Sequence, residues 1–232
     1  MNQLYDNYLE TSVVGRGQCE WKIQLLEVNY RRFFPEDKTA YVLDIGIGNG
    51  EMLGKMQEWG YSNYEGIDIS ESAVKACKEL GYQCTLVKDT TEFLNNHPDK
   101  YAVITLFHVV EHIPQDEILS FVEACRKALA PGGVLLIETP NMASIDGLLM
   151  RYNDFTHVMG YTMMSLRQML LLSGFEKIEI FETDVMFVKK FKIKIMRLLS
   201  KIQRCIKNFE RRIDGMRLET LPGVCISAAA RK

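Results

Sequence analysis

At 232 residues, with 47% apolar and 25% charged side chains, the chain is long enough for a buried core and is neither a disordered chain, a collagen nor a coiled coil. No uninterrupted apolar run reaches the ~18 residues of a membrane-spanning helix, and the opening MNQLYDNYLE lacks the basic and apolar regions of an export signal. A net charge of −2 is too balanced for a protein that coats nucleic acid, and six cysteines with no C-x-x-C pair predict reduced thiols in the cytoplasm rather than disulfides or a zinc site.

Residues 1–34 read as a helical cap. Residues 41–45 (YVLDI) predict a strand running into Gly46-Ile47-Gly48-Asn49-Gly50, followed by a helix over 51–59. A second strand falls at 64–69, and Ser70 caps a helix over 71–80. The third strand is 83–87, the fourth 101–107, and a helix follows over 114–129. Pro131-Gly132-Gly133 turns into a fifth strand, 134–138. A helix over 165–172 ends at Gly174, and strands follow at 175–182 and 223–230. Strand and helix alternate at roughly 20–25 residue intervals, which predicts βαβ units and a parallel sheet.

The segment between the last two strands differs in composition. Residues 186–217 hold eleven Lys or Arg and two acids, a net +9, leaving −11 on the rest of the chain. Phe191, Ile195, Leu198, Ile202, Ile206, Phe209, Ile213 and Met216 recur at spacings of three and four, the stripe of an amphipathic helix about 40 Å long. Packing on the sheet or on a partner subunit is the default reading of such a stripe. An anionic membrane surface is the next, because Lys and Arg fill most of the other face. A grip on nucleic-acid phosphates is the third.

The densest chemical signal is V-L-D-I-G-I-G-N-G, residues 42–50. Glycines after a strand let backbone approach a ligand and open a helix whose N-terminus faces it. The pattern is D-x-G-x-G-x-G rather than the dinucleotide G-x-G-x-x-G, and Asp44 ahead of the loop suits an ammonium or sulfonium better than a pyrophosphate. Asp68 ends the second strand, placed for ribose hydroxyls. Asp89 follows the third, placed for an amino group of adenine. Each acid alone reads as a cap or turn residue. Three at successive strand ends read as a ligand edge.

With these motifs, F-H-V-V-E-H-I-P at 107–114 and L-A-P-G-G-V-L-L-I-E-T-P-N at 129–141, the chain resembles the class I S-adenosylmethionine-dependent methyltransferases from about residue 41 to 181 and again in the last strand. The resemblance implies a donor site of Asp44, Gly46, Gly48 and Gly50 at the methionine part, Asp68 with Ile69 at the ribose, Asp89 with Thr90 at the adenine, and Phe107 and His108 lining the pocket. Arg16, between Gly15 and Gly17, is placed to reach the donor carboxylate, and Tyr5, Tyr8 and Trp21 read as an aromatic lid or as helix packing.

His108-Val109-Val110-Glu111-His112 supports three readings. Glu111 and His112 brace a loop; or a histidine is the base that deprotonates an alcohol acceptor; or Glu111, His112, His108 and His157 hold a divalent cation against vicinal hydroxyls. The last resembles the small-RNA 2′-O-methyltransferases, with His108 where that pattern has a glutamate. In Asn153-Asp154-Phe155-Thr156-His157-Val158, His157 reads as a base or ligand with Asp154 orienting it, or as a packed loop residue. D-F-T-H-V and S-L-R-Q-M-L-L-L-S-G-F resemble bacterial methyltransferases of cell-surface polysaccharide synthesis.

The expected fold is therefore one α/β domain over 1–232: a Rossmann-like, seven-stranded, mostly parallel sheet with an antiparallel last strand, an N-terminal helical cap and a basic helical insertion over 189–216. The expected function is methyl transfer from S-adenosylmethionine, with or without a divalent metal, to a hydroxyl of a sugar or lipid-linked glycan precursor. The expected setting is the cytoplasm or the inner face of the membrane, and the expected partners are the acceptor, an anionic membrane surface through 189–216 and a second copy of the chain rather than nucleic acid. The alternatives are an N-methyltransferase, a quinone-type or RNA 2′-O-methyltransferase, and a donor-binding scaffold without activity.

Overall fold

The computed structural model describes residues 17–183, 221 and 223–232, with isolated positions between 199 and 215. In chain order the elements are α1 (Glu20–Tyr30) with a 3-10 turn (Arg31–Phe33), β1 (Val42–Ile45), α2 (Glu51–Glu58), β2 (Tyr64–Asp68), α3 (Glu71–Glu79), β3 (Cys84–Leu86), α4 (Thr90–Asn95) and β4 (Tyr101–Phe107). A 3-10 turn (Val110–His112), α5 (Ile118–Ala128), β5 (Leu129–Pro140), α6 (Gly147–Asn153), α7 (Met163–Leu172), β6 (Lys177–Glu182) and β7 (Cys225–Arg231) follow. The seven strands lie in the order β3-β2-β1-β4-β5-β7-β6. β7 runs antiparallel to both of its neighbours, and the pairings from β3 through β5 are parallel.

The strands are apolar on both faces because helices cover both. Successive side chains point to opposite sides, so Leu43, Ile45, Ile104, Leu106, Leu135 and Ile137 enter one core cluster. Val42, Val103, Val134 and Leu136 enter the other. α1 is part of that second core, burying Leu26 and Tyr30. It is also tied to α2 by the buried Lys55 ammonium, 2.7 Å from Glu27 and 2.8 Å from Glu58. The connections from β1 lead to β2 on one side and β4 lies on the other, so the chain reverses direction across the sheet at β1 and leaves a crevice beyond the strands' C-terminal ends.

Several expected boundaries move. The helix expected from 114 starts at Ile118, because 114–117 close a turn in which the Glu117 and Ile118 amides donate to the Pro114 carbonyl. β5 begins at Leu129, earlier than expected, with a register shift opposite Tyr101 and Val103. Asp89 caps the unforeseen α4, accepting from Glu92 N–H at 3.0 Å, so β3 ends before it. Of the expected insertion over 189–216, the helical positions described include Leu199, Ile202, Ile206, Phe209 and Ile213. All five are exposed, so these side chains do not pack on the sheet. The rest of that segment, with Arg16, Tyr5 and Tyr8, lies outside the described residues. Among the described residues no helix is long and apolar enough to cross a membrane.

Candidate active site

A cleft of about 1110 Å³ occupies the crevice. Given the strand order, residues after β1, β2 and β3 wall one side: Asp44, Gly46, Gly48, Asp68, Ile69, Asp89 and Thr90. Residues after β4 and β5 wall the other: Phe107, His108, His112, Met150, Asn153, Asp154 and His157, with Trp21, Lys22 and Leu25 of α1. Gly50 and Glu111 stand behind the wall.

The three loop glycines have φ of 77°, 50° and 79°, a region that side chains enter only with strain. A Cβ on Gly46 would lie 2.5 Å from Val109 Cγ2 and one on Gly50 2.9 Å from Cys77 Sγ, whereas one on Gly48 would meet nothing within 4 Å. The loop is thus pressed onto protein at its ends and open to the cleft at its middle. Gly46→Ala is expected to cost at least about 1–2 kcal/mol of stability from the left-handed backbone alone, before the clash, and to weaken donor binding. Urea unfolding and calorimetry check this; an unchanged midpoint and affinity would refute it.

Asp44 is 3% exposed. Burial pushes its carboxyl up to about 8, the Thr105 hydroxyl opposes this, and the charges of Asp68 and Glu51 add to it. Thr105 Oγ1 donates to it at 2.5 Å. A desolvated carboxylate beside an open glycine loop is a seat for a cationic group, which fits the ammonium and sulfonium of S-adenosylmethionine. Burial also raises Asp68, opposed by backbone N–H groups of Ser70, Gly48 and Ile47, with Ser70 N–H at 2.8 Å. Asp68 therefore holds the glycine loop in shape as well as facing the cleft. Gly17 N–H donates to Asn49 Oδ1 at 3.2 Å, which brings the chain just after Arg16 to the same loop.

On the other side a chain of polar groups runs through the floor. His108 has φ 56°, uncommon for a residue with a Cβ, and its ring bridges two carboxylates. Nδ1 is 3.2 Å from Glu111 Oε1 and Nε2 is 3.1 Å from Glu138 Oε1. Burial would lower its pKa, but the two carboxylates outweigh that and push it up to about 10. Both ring nitrogens of His108, expected as a base or a metal ligand, thus face carboxylate oxygens, an arrangement that favours the protonated ring. Tyr30 Oη donates to Glu138 and lies 2.7 Å from Ser227 Oγ. Burial raises Glu111, but His108 and then His112 bring it below its ordinary value, and Thr139 Oγ1 donates to its Oε2 at 3.0 Å.

His157 Nδ1 is 2.9 Å from the Met150 carbonyl. A carbonyl only accepts, so in the neutral ring Nδ1 carries the hydrogen and Nε2 the lone pair. Nε2 is 4.0 Å from Glu111 Oε1. Arg151 clamps the same loop by donating to the His157 and Val158 carbonyls. The Asp154 carboxylate, expected to orient His157, accepts from Thr156 N–H at 2.9 Å and Thr156 Oγ1 at 2.5 Å, and the Asp154 main-chain carbonyl accepts from His157 N–H at 3.2 Å. With its hydrogen spent there, Thr156 Oγ1 accepts from His112 Nδ1 at 2.9 Å. Asp154 thus acts on His112, leaving that ring's lone pair on Nε2. Glu111, His112 and His157 each offer a ligand atom within 4.8 Å of the others, whereas His108 groups with Glu138 and Cys225.

Sequence reasoning missed Tyr30, Thr105, Glu138 and Thr156. Thr105 and Glu138 left a signal, each a polar residue inside an apolar strand, in YAVITLF and VLLIE. Tyr30 left none.

Known proteins resemble this chain at the level the site suggests. A family model for a methyltransferase domain matches residues 20–180. A ubiquinone biosynthesis O-methyltransferase of Idiomarina loihiensis is 29% identical over 128 residues, covering 52% of this chain and 50% of that one. The chain spans about half the length of the curated relatives it matches. Among solved structures, a SAM-dependent methyltransferase of Archaeoglobus fulgidus superposes with TM-score 0.65 at 24% identity over 99% of both chains. Phosphoethanolamine N-methyltransferase 2 of Haemonchus contortus, in complex with S-adenosyl-L-methionine, gives TM-score 0.61 at 16% identity over 100% of this chain and 57% of that one.

Proposed function

The chain belongs to the methyltransferase-domain family, and from that premise we propose that it transfers the methyl group of S-adenosylmethionine to a hydroxyl oxygen of its acceptor. The observation that carries this is His157: a ring on the cleft wall whose Nδ1 is held by the Met150 carbonyl. The donor supplies a methyl group activated by its sulfonium. Asp44 and the glycine loop hold its methionine part, and Asp68 and Asp89 face its ribose and adenine. The protein's work is then to align the acceptor oxygen with the methyl carbon and to remove the hydroxyl proton. His157 Nε2 takes that proton, and the Glu111 carboxylate beside it stabilises the resulting imidazolium.

The cluster of Glu111, His112 and His157 favours a second reading, in which the three hold a divalent cation. Two imidazoles and one carboxylate suit a transition ion better than magnesium, and such an ion would supply positive charge against the acceptor oxygen. Turnover of labelled donor by protein dialysed against EDTA separates the two. Activity lost and restored by a transition ion assigns the cation. Activity unaffected assigns His157 as the base.

For the acceptor, Trp21, Leu25, Pro140, Met150 and Val224 on the cleft wall support a hydroxyl carried on an apolar or aromatic body, as the names of the ubiquinone-pathway relatives suggest. The sugar or glycan hydroxyl expected from the sequence has Asn153 and Asp154 at the same end for its hydrogen bonds. Labelled donor offered with catechol-type phenols and, separately, with nucleotide sugars decides between them. Methylation of only the nucleotide sugars would overturn the aromatic reading, and methylation of an amine alone would overturn O-methylation.

A further inference from the structure

Among the described residues, His108, Glu138 and Cys225 form a second group of metal-ligating side chains, with ligand atoms all within 4.8 Å of one another. All three line the cleft. The sheet itself builds this group, because β4, β5 and β7 are neighbours. Glu138 stands opposite Ser227, and Pro140 opposite Cys225. Residues two apart share a face, so Glu138 and Cys225 are diagonal neighbours on one side of the sheet. His108 follows Phe107, which pairs with Glu138, and its N–H donates to the Glu138 carbonyl at 2.8 Å. Its φ of 56° is a backbone state that a side chain adopts at a cost.

The group also has outer partners in place. A ligating imidazole ordinarily gives its other ring N–H to a carboxylate, and ligating carboxylates are themselves hydrogen-bonded. His108 Nδ1 meets Glu111 Oε1 at 3.2 Å, which leaves Nε2 on the side of Glu138. Tyr30 Oη donates to Glu138 Oε2, which leaves Oε1 facing His108 Nε2 at 3.1 Å. Nitrogen and oxygen ligands of a tetrahedral zinc stand roughly 3.3 Å apart, so this pair is already spaced for an ion.

We propose that His108 Nε2, Glu138 Oε1 and Cys225 Sγ bind a divalent cation of the zinc class. The ion takes the place of the Nε2 hydrogen and supplies the positive charge between the two carboxylates. One thiolate, one imidazole and one carboxylate suit zinc, whereas magnesium and calcium take oxygen ligands. The site is separate from the sulfur-free group of Glu111, His112 and His157, and it does not depend on the proposed reaction. Three protein ligands leave one position of a four-coordinate ion open. Because all three residues line the cleft, that position takes water or a hydroxyl or thiol of a bound molecule.

The test is titration of the full chain with cobalt(II), after removal of metal by EDTA and of EDTA by dialysis, in a thiol-free reductant. A thiolate bound to cobalt(II) gives a charge-transfer band in the near ultraviolet that imidazole and carboxylate ligands do not. The band is expected to saturate at one ion per chain and to disappear when zinc displaces the cobalt. Cys225→Ser should abolish it. Tyr30→Phe removes only the hydroxyl behind Glu138 and should weaken cobalt binding about 10- to 100-fold, with the band per bound ion unchanged. Glu138→Gln and His108→Asn remove ligands and should weaken binding beyond that range; Asn tolerates the left-handed backbone at 108. Cooperative urea unfolding of each variant shows that it is folded, and the other three carry the test should Cys225→Ser fail to fold. No charge-transfer band overturns the proposal and leaves any bound cobalt to Glu111, His112 and His157. A band that survives in Cys225→Ser also overturns it and gives the ion to another thiol, such as the exposed Cys205.

Discussion

Replacing His157 with alanine is expected to lower kcat by about 10²- to 10⁴-fold, the range for losing a positioned general base, while donor affinity stays unchanged. The His157 ring is 11% exposed and approaches the Glu111 carboxylate, and the Met150 carbonyl fixes which nitrogen is basic. The seat proposed for the donor, Asp44 and the glycine loop, is on the opposite wall of the cleft, so binding and turnover should separate cleanly. Single-turnover rates and calorimetry on the same preparation check this, and turnover within a few-fold of the parent would remove His157 from the reaction. Thr156→Val adds a discriminating arm. It removes the acceptor of the His112 Nδ1–H and leaves the Met150 contact of His157 in place. If His157 acts as a base alone, turnover should survive; if a cation is held by both histidines, loss of this outer partner should cost about 10- to 100-fold.

Donor affinity is expected to climb with pH and level off near 8. Asp44 in the fold binds its proton up to about pH 8, chiefly because burial disfavours the carboxylate, whereas in the unfolded chain it titrates near the ordinary value of 3.8. Its folded pKa is raised, so its contribution to stability is complete below about pH 4 and is lost as pH rises through 8, by up to about 1.4 kcal/mol per pH unit. A cationic ligand reverses the preference by stabilising the carboxylate. Binding should therefore release a proton between pH 4 and 8, and affinity should rise by up to about tenfold per pH unit in that window. Calorimetry in buffers of different ionisation enthalpy counts the released proton. A pH-independent affinity from 6 to 8 with no proton release would sink the assignment of Asp44 to the donor's positive groups. Asp44→Asn should abolish the pH dependence and weaken binding at pH 8.

Much of this arrangement is legible in the chain before folding, because it rests on local constraints. A glycine at positions 46, 48 and 50 is demanded by φ values near +50° to +79°, and alternation of side chains in β1, β4 and β5 divides the two cores as period two requires. Asp44, Asp68 and Asp89 stand at strand ends, so the sheet itself gathers them at one edge. Short elements escaped notice for the same reason: α4 and α6, of six and seven residues, are too brief to show a 3.6-residue period.

What only the tertiary structure decided are the pairings that depend on which strands become neighbours. Tyr30 meets Glu138 across 108 positions and Ser227 across 197, a contact that exists because β5 and β7 pair and α1 lies over them. The surroundings of the histidines follow in the same way. His108 sits between two carboxylates and His157 against a carbonyl, so the same ring meets two acceptors in one place and one in the other, where Nε2 is left to the cleft side. Sequence supplies the imidazoles, but hydrogen-bond partners brought together by the sheet determine which nitrogen holds the proton.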